Sequence, residues 1–319
     1  MKIIVTGGGG FLGSKVTREL LAAKDEGRSV LDFDSIVSLD LVESPVRDQR
    51  VISEVGDIAS EEFLHHHIDD QVVGIFHLAA VLSGGSEDDF DLAYKVNVEA
   101  TRLVLEAARR QGKCPRIVFT SSLAVFGTGL PPVVTDSTAV QPESTYGAVK
   151  AIGELLVNEY SRKGYVDGRV CRVPTISVRP GKPNSAASSF ASGIIREPLN
   201  GVRSIVPVPI DTQMWLSSPD TAVENLVRVF ELTPQQLPVW RVINLPGITV
   251  TVQEMMQALE RAGGSKAIEL LDIEYDARVA DIVLTWPRSF DLSAAESMGL
   301  IRDRNFDAMV DQYCQEFLG

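Results

Sequence analysis

The sequence of 319 residues predicts an α/β fold, a doubly wound parallel sheet followed by a smaller C-terminal lobe of mixed helices and short strands. Short, continuous apolar runs recur through the first half, as expected of strands that are buried on both faces. They occupy residues 3–6, 36–39, 72–78 and 116–120. Stretches with helical spacing lie between them, most clearly at residues 11–23 and 88–110. This alternation is typical of a parallel sheet with helices on both faces.

The composition is that of an ordinary globular protein, with 45% hydrophobic and 23% charged residues. The net charge of -13 argues against a nucleic-acid partner, since such partners require concentrated Lys and Arg. No apolar run approaches the ~18 residues of a membrane span, and the first strand starts too early for a signal peptide. The three cysteines are scattered and favour a reducing compartment. We therefore expect a cytoplasmic protein without a membrane partner.

The first strand runs directly into a glycine cluster, in which Gly7, Gly10 and Gly13 are spaced G-x-x-G-x-x-G. The first glycine allows a tight turn, the second lets backbone N–H groups approach a pyrophosphate, and the third allows close packing of helix on strand. The following helix presents its positive N-terminal end to the same place. The segment therefore predicts a dinucleotide-binding, Rossmann-type domain, with Phe11 and Leu12 of the same turn among the cofactor contacts.

Asp40 ends the second predicted strand, where a carboxylate accepts hydrogen bonds from the adenosine ribose. It comes later than the usual ~20 residues after the glycines, and residues 24–35 look like an insertion that explains the delay. A carboxylate about 4 Å from a 2′-phosphate costs ~4 kcal/mol at an effective dielectric near 20. We therefore expect NAD to be favoured over NADP, although Arg47 could pair with the extra phosphate. The alternative for Asp40 is a solvated turn residue.

Tyr146 and Lys150 lie four residues apart and share one face of a helix predicted over residues 146–162. A free tyrosine has a pKa near ~10, so a base at neutral pH needs a downward shift of ~3 units. The ammonium of Lys150 and the positive ring of an oxidised nicotinamide would both favour the phenolate. A tyrosine and a lysine also fall four residues apart by chance, so the pair is not diagnostic by itself.

Three ordered motifs resemble those of the extended short-chain dehydrogenase/reductase family. They are residues 6–13 (TGGGGFLG), residues 121–127 (SSLAVFG) and Tyr146-x-x-x-Lys150. The resemblance implies an NAD-dependent oxidoreductase in which Ser122 hydrogen-bonds the substrate oxygen and Tyr146 moves its proton. Lys150 would orient the nicotinamide ribose and acidify Tyr146. Ser121 competes for the serine role, but the family position falls on Ser122.

Further cofactor contacts follow from the resemblance with less specificity, since each position is also compatible with plain packing. The resemblance assigns Asp57 and Ile58 to the adenine, Leu78, Ala79 and Ala80 to the pyrophosphate and ribose, and Asn97 and Pro174 to the surroundings of the active site. We interpret His77 as a core histidine. His65, His66 and His67 point in different directions on a helix, so no metal site is predicted. The three tryptophans are interpreted as packing residues, although Trp215 could cover substrate.

The organisation changes after about residue 173, where Pro, Gly, Ser and Asn become frequent. Loops of this kind typically line the substrate side of a cleft. We expect residues 1–175 to form the NAD-binding domain, with residues of about 205–245 returning to it. Residues 176–319 would form most of the substrate-binding lobe, interleaved with the first domain.

Two loop stretches, residues 79–86 and 178–185, resemble those of family members that oxidise a small sugar acid. The expected reaction is NAD-dependent oxidation of the C2 hydroxyl of D-erythronate to 2-oxo-tetronate. Ser83 and Asn184 supply polar groups for the substrate, as Ser122 and Tyr146 do at the reacting hydroxyl. Arg179 or Lys182 supplies a cation for the carboxylate. A structural role for Arg179 and a solvated position for Lys182 are also compatible with the sequence.

Two other functions remain open at this point. The same motifs serve sugar-nucleotide epimerases and dehydratases with tightly bound NAD, in which no net oxidation appears. A non-catalytic NAD(P)-sensing protein would usually carry a broken Ser, Tyr or Lys position, and all three are intact here. Members of the family often form homodimers through two long helices, here residues 88–110 and 146–162, and we expect a homodimer.

Overall fold

A seven-stranded parallel sheet forms the centre of the molecule in a computed structural model that describes residues 1–318. Its elements are β1 (Lys2–Thr6), α1 (Phe11–Asp25), β2 (Ser35–Asp40), β3 (Val51–Val55), α2 (Glu61–His67), β4 (Val72–His77), α3 (Ser83–Asp88), α4 (Phe90–Tyr94), α5 (Ala100–Gln111), β5 (Arg116–Ser122), α6 (Thr145–Arg162) and β6 (Asp167–Val173). The spatial order, β10-β6-β5-β4-β1-β2-β3, includes one later strand. This architecture confirms the predicted fold class.

The second part of the chain alternates between the large sheet and a smaller lobe. Its elements are β7 (Thr175–Ile176), α7 (Phe190–Leu199), β8 (Ser204–Val206), β9 (Gln213–Ser217), α8 (Pro219–Glu231), β10 (Val242–Asn244), β11 (Ile248–Thr251), α9 (Val252–Ile268), β12 (Leu271–Ile273), α10 (Ala277–Val283), α11 (Ser293–Ser297) and α12 (Phe306–Phe317). The lobe contains a three-stranded sheet, β11-β9-β7, and a two-stranded sheet, β12-β8.

Strand β1 shows why continuous apolar runs form the centre of the sheet. Alternate side chains of a strand point to opposite faces. Ile3 and Val5 pack on one face with α1 and α8, whereas Ile4 packs on the other face with α5. All three side chains are fully buried. Replacing one of them by alanine would cost about 2–5 kcal/mol, because the tightly packed layers cannot collapse fully around the cavity.

The predicted helix over residues 88–110 is interrupted. Asp89 caps α4, and a π-helical turn, Lys95–Glu99, joins α4 to α5. The turn places Asn97 against the loop after β4, where its amide bonds both the N–H and the carbonyl oxygen of Val81 at 2.9 and 3.0 Å. A π-turn commonly marks a place where one side chain is redirected for such a contact. The apolar periodicity alone does not reveal this interruption.

The segment expected to return to the first domain, residues 205–245, is divided between the two parts. Helix α8 packs against α1 in the core beneath the large sheet, and β10 pairs with β6 at its edge. Strand β9 instead pairs with β7 and β11 in the smaller lobe, whose own core includes α7, α9 and α12. No helix within residues 1–318 is both long and apolar enough to cross a membrane.

Candidate active site

A cleft of about 660 Å³ follows the carboxyl ends of the central strands. Parallel strands end at one edge of their sheet, so the loops after β1, β2, β4, β5 and β6 meet there. Of the residues singled out in the sequence as cofactor or substrate contacts, those that line it are Gly7, Gly10, Phe11, Leu12, Gly13, Asp40, Asp57, Ile58, Leu78, Ala79, Ala80, Ser83, Ser122, Tyr146, Lys150, Pro174, Arg179 and Asn184.

The glycine turn has no space for side chains. Gly7 has a φ of +73°, and a Cβ there would lie 2.8 Å from the backbone nitrogen of Ala79. A Cβ on Gly13 would lie 2.1 Å from the carbonyl oxygen of Gly7. Gly10 caps α1 without a side chain, which leaves N–H groups of the first helical turn free beside the cleft. These features fit the pyrophosphate of a dinucleotide, which needs close backbone approach and a helix N-terminus.

The carboxylate of Asp40 is held in place by the backbone at the edge of the cleft. One oxygen accepts the N–H of Gly9 at 3.0 Å, and the other accepts that of Leu41 at 2.6 Å. Arg47 does not supply the balancing cation that the sequence suggested. Its guanidinium donates to the carbonyl oxygen of Ser44 at 3.2 Å and lies 3.6 Å from Glu43. Charge at this end of the cleft is therefore negative.

The end of the cleft expected to hold adenine has both polar and apolar walls. Asp57 accepts the N–H of Ala59 at 2.8 Å and pairs with Lys95 at 3.2 Å, and these contacts lower its pKa, the backbone hydrogen bond most. Ile58 lies beside it. The exposed side chains of Leu41 and Leu92 also line this end and suit a flat aromatic base. Sequence reasoning missed both, since a single exposed leucine carries no signal.

Helix α6 brings Tyr146 and Lys150 to the end of β5. Ser144 caps the helix by accepting the N–H of Gly147 at 3.1 Å. A Cβ at Gly147 would lie 2.1 Å from the carbonyl oxygen of Ala124, so glycine permits the helix to approach this closely. Lys150 Nζ lies 5.7 Å from the centre of the Tyr146 ring. The first turn of α6 is thus fixed against the serine-bearing end of β5.

The hydroxyl of Ser122 accepts the N–H of Ala124 at 3.1 Å and lies beside Tyr146 in the cleft. Burial raises the pKa of Tyr146 to about 12, against the opposing effects of the neighbouring Ser122 hydroxyl and the charge of Arg179. Burial lowers the pKa of Lys150 to about 7, against the charge of Glu154. The downward shift expected for Tyr146 is therefore absent from the protein alone, because burial removes the hydration of a phenolate.

The charge of Arg179 lowers the pKa of Tyr146, an effect that the sequence analysis did not anticipate. Burial lowers the pKa of Arg179, as does the charge of Arg196, whereas Tyr146 raises it. Its Nη2 reaches Asn184 Oδ1 at 3.4 Å, and its buried Nε has no hydrogen-bond partner within residues 1–318. A buried donor without a partner costs free energy, so a ligand acceptor here would stabilise the site.

The substrate end of the cleft is closed by loops from both lobes. Ser83 on α3 accepts the N–H of Ala187 at 2.9 Å, which joins the loop of residues 79–86 to the segment that directly follows residues 178–185. Trp286, after α10, lines the same end. Trp215 does not, since it is only 5% exposed and packs 5.2 Å from the ring of Phe290. The expectation that Trp215 could cover substrate is therefore wrong, and Trp286 occupies that place.

Two predicted residues lie behind the cleft rather than in it. The side-chain amide of Asn97 forms both of its hydrogen bonds with the backbone of Val81. Asn97 therefore shapes the loop after β4 and is not among the residues that line the cleft. His77 is fully enclosed, with its ring nitrogens 2.7 Å from Thr6 Oγ1 and 2.9 Å from Thr101 Oγ1. Burial lowers its pKa to about 3, so it is neutral. Within residues 1–318 no group of His, Cys, Asp and Glu is arranged to hold a metal ion.

Comparisons with known proteins find relatives that match most or all of the chain. The model of the NAD dependent epimerase/dehydratase family matches residues 3–214. The chain is similar to the D-erythronate dehydrogenases of Cupriavidus necator, at 47% identity over 99% of this chain and 98% of that protein, and of Haemophilus influenzae, at 42% over 99% of both. Among solved structures, a nucleoside-diphosphate-sugar epimerase from Agrobacterium tumefaciens has a TM-score of 0.92 at 34% identity, covering 100% of this chain and 95% of that one.

Proposed function

The chain belongs to the NAD-dependent epimerase/dehydratase family, and from this premise we propose that it is an NAD-dependent dehydrogenase that oxidises the C2 hydroxyl of D-erythronate to 2-oxo-tetronate. The observation that carries the proposal is the position of Arg179, whose buried Nε lacks a hydrogen-bond partner among residues 1–318, beside the Ser122–Tyr146 pair in the dinucleotide cleft. This arrangement offers a cation for a carboxylate next to an acid/base pair for the neighbouring hydroxyl.

The proposed reaction places the C2 hydroxyl between Ser122 and Tyr146. Ser122 holds the substrate oxygen by hydrogen bond, and Tyr146 removes its proton. When bound, the oxidised nicotinamide supplies the hydride acceptor and a positive charge. Lys150 holds the nicotinamide ribose, and the cleft walls exclude water from the reacting atoms. Fixing hydroxyl and base in this geometry contributes as much to the rate as the proton transfer itself.

The substrate carboxylate is proposed to bind Arg179, with Asn184 and Ser83 placed for the remaining hydroxyls. Charge-assisted hydrogen bonds from a guanidinium are about twice as strong as neutral ones. Ser83 already accepts one backbone N–H, so its own proton is free for donation to a ligand. A compact acid of four carbons fits these contacts, because the cation and the acid/base pair share one end of the cleft.

NAD is proposed as the cofactor in preference to NADP. The support is the carboxylate of Asp40, which Gly9 and Leu41 hold at the end of the cleft expected for the adenosine ribose. A 2′-phosphate there would meet this negative charge. Arg47 pairs with Glu43 outside the cleft and does not offset it.

A sugar-nucleotide epimerase is the second candidate, favoured by the similarity to the epimerase from Agrobacterium tumefaciens. Such an enzyme returns the hydride and needs room and cations for a diphosphate. Arg196, the further arginine of the cleft, is bound to Glu197 and to the carbonyl oxygen of Arg179. A non-catalytic sensor is disfavoured by the intact Ser122, Tyr146 and Lys150.

A homodimer is also proposed, through the exposed face of α6 and the region around α4 and α5. Ile152 and Leu155 on α6 are exposed apolar side chains, as are Phe90 and Tyr94 on α4. Exposed apolar side chains grouped on helices are typical of an interface. Sedimentation equilibrium of the purified protein tests this, and Leu155→Glu should shift a dimer toward monomer.

The function is tested by NADH formation from purified protein, NAD and a panel of aldonic acids with four to six carbons. We expect strong turnover of D-erythronate and weaker turnover of longer acids. If no acid yields NADH and a sugar nucleotide is converted instead, the epimerase function would replace this proposal. NADP in place of NAD gives the cofactor preference in the same assay.

A further inference from the structure

An ion pair between Glu154 and Arg172 lies behind the active site, in the interface between α6 and the sheet. Arg172 donates to both carboxylate oxygens of Glu154, at 2.8 and 2.7 Å. The hydroxyl of Ser121 donates to the same carboxylate at 2.5 Å. Both charged side chains are 4% exposed. A buried pair of this kind persists only with good geometry and satisfied hydrogen bonds, and it is poor evidence of stabilisation by itself.

The sheet register fixes the pair in place. Arg172 on β6 lies opposite Ser121 on β5 and Asn244 on β10. Its third contact is Asn244 Oδ1 at 3.5 Å, and Asn244 in turn donates to Asp136 at 2.8 Å. Because Ser121 precedes Ser122, the network reaches the end of β5 that carries the substrate-binding hydroxyl.

Lys150 stands one helical turn before Glu154 on the same face of α6. It is 2% exposed, and its ammonium donates to the carbonyl oxygen of Thr120 at 2.7 Å. Burial lowers the pKa of Lys150 to about 7, and the charge of Glu154 opposes that effect. The protonation of Lys150 is therefore balanced near neutral pH, where a change in one neighbouring charge alters it strongly.

We propose that Glu154 is a positioning residue of the active site whose carboxylate keeps Lys150 protonated, and that Arg172 limits how much of that negative charge acts on Lys150. The role of Lys150 rests on the proposed function, in which its charged form holds the nicotinamide ribose and favours the Tyr146 phenolate. Neither Glu154 nor Arg172 touches substrate in this account.

The other groups around Lys150 leave this role to Glu154. Tyr146 faces it from α6, and burial keeps that phenol protonated. His77 faces it from β4 as a neutral ring, whose low pKa the charge of Lys150 also favours. The ring of Phe119 on β5 lies 4.9 Å from Nζ and adds a weak cation–π attraction. Among residues 1–318, Glu154 is the acidic group whose charge raises the pKa of Lys150.

If the effect is electrostatic, substitutions of Glu154 and of Arg172 should shift the pKa of Lys150 in opposite directions. Glu154→Gln leaves the positive charge of Arg172 behind Lys150, so the pKa of Lys150 falls. Arg172→Met leaves the negative charge of Glu154, so the pKa of Lys150 rises. The double variant is neutral at both positions and returns Lys150 close to its original pKa. A merely structural role would not produce this reversal.

The experiment titrates Lys150 by NMR in protein labelled at the lysine Cε, with the resonance identified by its loss in Lys150→Met. We expect the midpoint to fall by about one pH unit or more in Glu154→Gln and to rise by a similar amount in Arg172→Met. The matched control is Glu159→Gln, on the exposed side of α6, where the carboxylate pairs with Arg162 at 2.7 Å. That control should leave the midpoint unchanged.

The pH profile of kcat/KM for NAD reduction provides the second readout. In Glu154→Gln its alkaline limb should move toward lower pH in step with the Lys150 midpoint. An unmoved midpoint in Glu154→Gln, or shifts of one sign in both single variants, would overturn the inference. If Glu154→Gln does not fold, Arg172→Met and the double variant carry the same test, because they differ only in the charge of Glu154. Midpoint shifts in a protein without turnover of any sugar acid would support the inference and contradict the proposed function.

Discussion

The ammonium of Lys150 on α6 donates a hydrogen bond of 2.7 Å to the carbonyl oxygen of Thr120 near the end of β5. This bond ties the helix that carries Tyr146 to the strand that carries Ser122. The phenol and the serine hydroxyl are thereby kept on neighbouring walls of the cleft. Preorganisation of this kind lowers the cost of reaching the reactive geometry.

Removing the phenol oxygen tests the proposed base. Tyr146→Phe should bind NAD within a few-fold of the original affinity, since the dinucleotide cradle is formed by other residues. Turnover of D-erythronate should fall by ~10²–10⁴-fold, the usual contribution of a positioned acid or base. Stopped assays of NADH formation and a separate NAD binding titration measure the two effects. Tyr275→Phe, at an exposed tyrosine, is the matched control, and a fully active Tyr146→Phe enzyme would rule out the mechanism.

Neutralising Asp40 should relax the choice of cofactor. Asp40→Asn keeps the size and shape of the side chain but removes the charge that opposes a 2′-phosphate. The ratio of kcat/KM for NADP to that for NAD should rise by ~10–100-fold, part of the ~4 kcal/mol available to a close charge pair. An unchanged ratio would show that the carboxylate does not face the phosphate position.

Arg179 is expected to act on both substrate and base. Arg179→Met should raise the KM for D-erythronate by ~10–100-fold, because a hydrogen bond to a charged group contributes about 1.5–3 kcal/mol. Loss of its charge also raises the pKa of Tyr146, so the rise of activity with pH should move to more alkaline values. Lys182→Met, at an exposed cation of the same cleft, is the comparison variant. Equal effects of both substitutions would contradict a specific role for Arg179.

Trp286 should report binding at the substrate end of the cleft. Addition of the sugar acid to protein with NAD should change the intrinsic fluorescence, and Trp286→Phe should abolish most of that change. Trp240→Phe, at a half-exposed tryptophan outside the cleft lining, should preserve it. Trp286→Ala should raise the KM for D-erythronate and improve the relative use of six-carbon acids, since it enlarges the compartment. A signal that survives in Trp286→Phe would place the sugar acid elsewhere.

His77 should make stability depend on pH. Its pKa is about 3 in the folded chain and near ~6.5 when unfolded, so the unfolded state binds more protons between these values. The contribution of His77 to the free energy of unfolding is therefore fully present above about pH 6.5. It decreases by up to a few kcal/mol as the pH falls toward 3. Urea unfolding across this range should show a shallower pH dependence for His77→Gln than for the original chain. Parallel curves for the two proteins would contradict this assignment.

The local signals in the sequence predicted the sheet and the position of the glycine turn well. The glycine turn lies where β1 meets α1, and Tyr146 and Lys150 share a helix face as their spacing indicated. Strand β3 was missed, because its side chains are mostly only partly buried and its pattern is not that of a core strand. Arg47 and Trp215 were misplaced, since nothing near either residue in the chain indicates which neighbours the fold will bring to it.

The sequence by itself determined the features that arise within one turn of helix, one strand or one loop. Periodicity and steric limits act over a few residues, so the Rossmann-type sheet, the glycine turn and the Tyr146–Lys150 pair could be read directly. The tertiary structure alone decided which distant groups share the cleft. Arg179 meets Tyr146, and Arg172 meets Glu154, through the register of strands and the packing of α6 on the sheet. Burial then set the pKa values of these groups, because desolvation depends on every element packed around them.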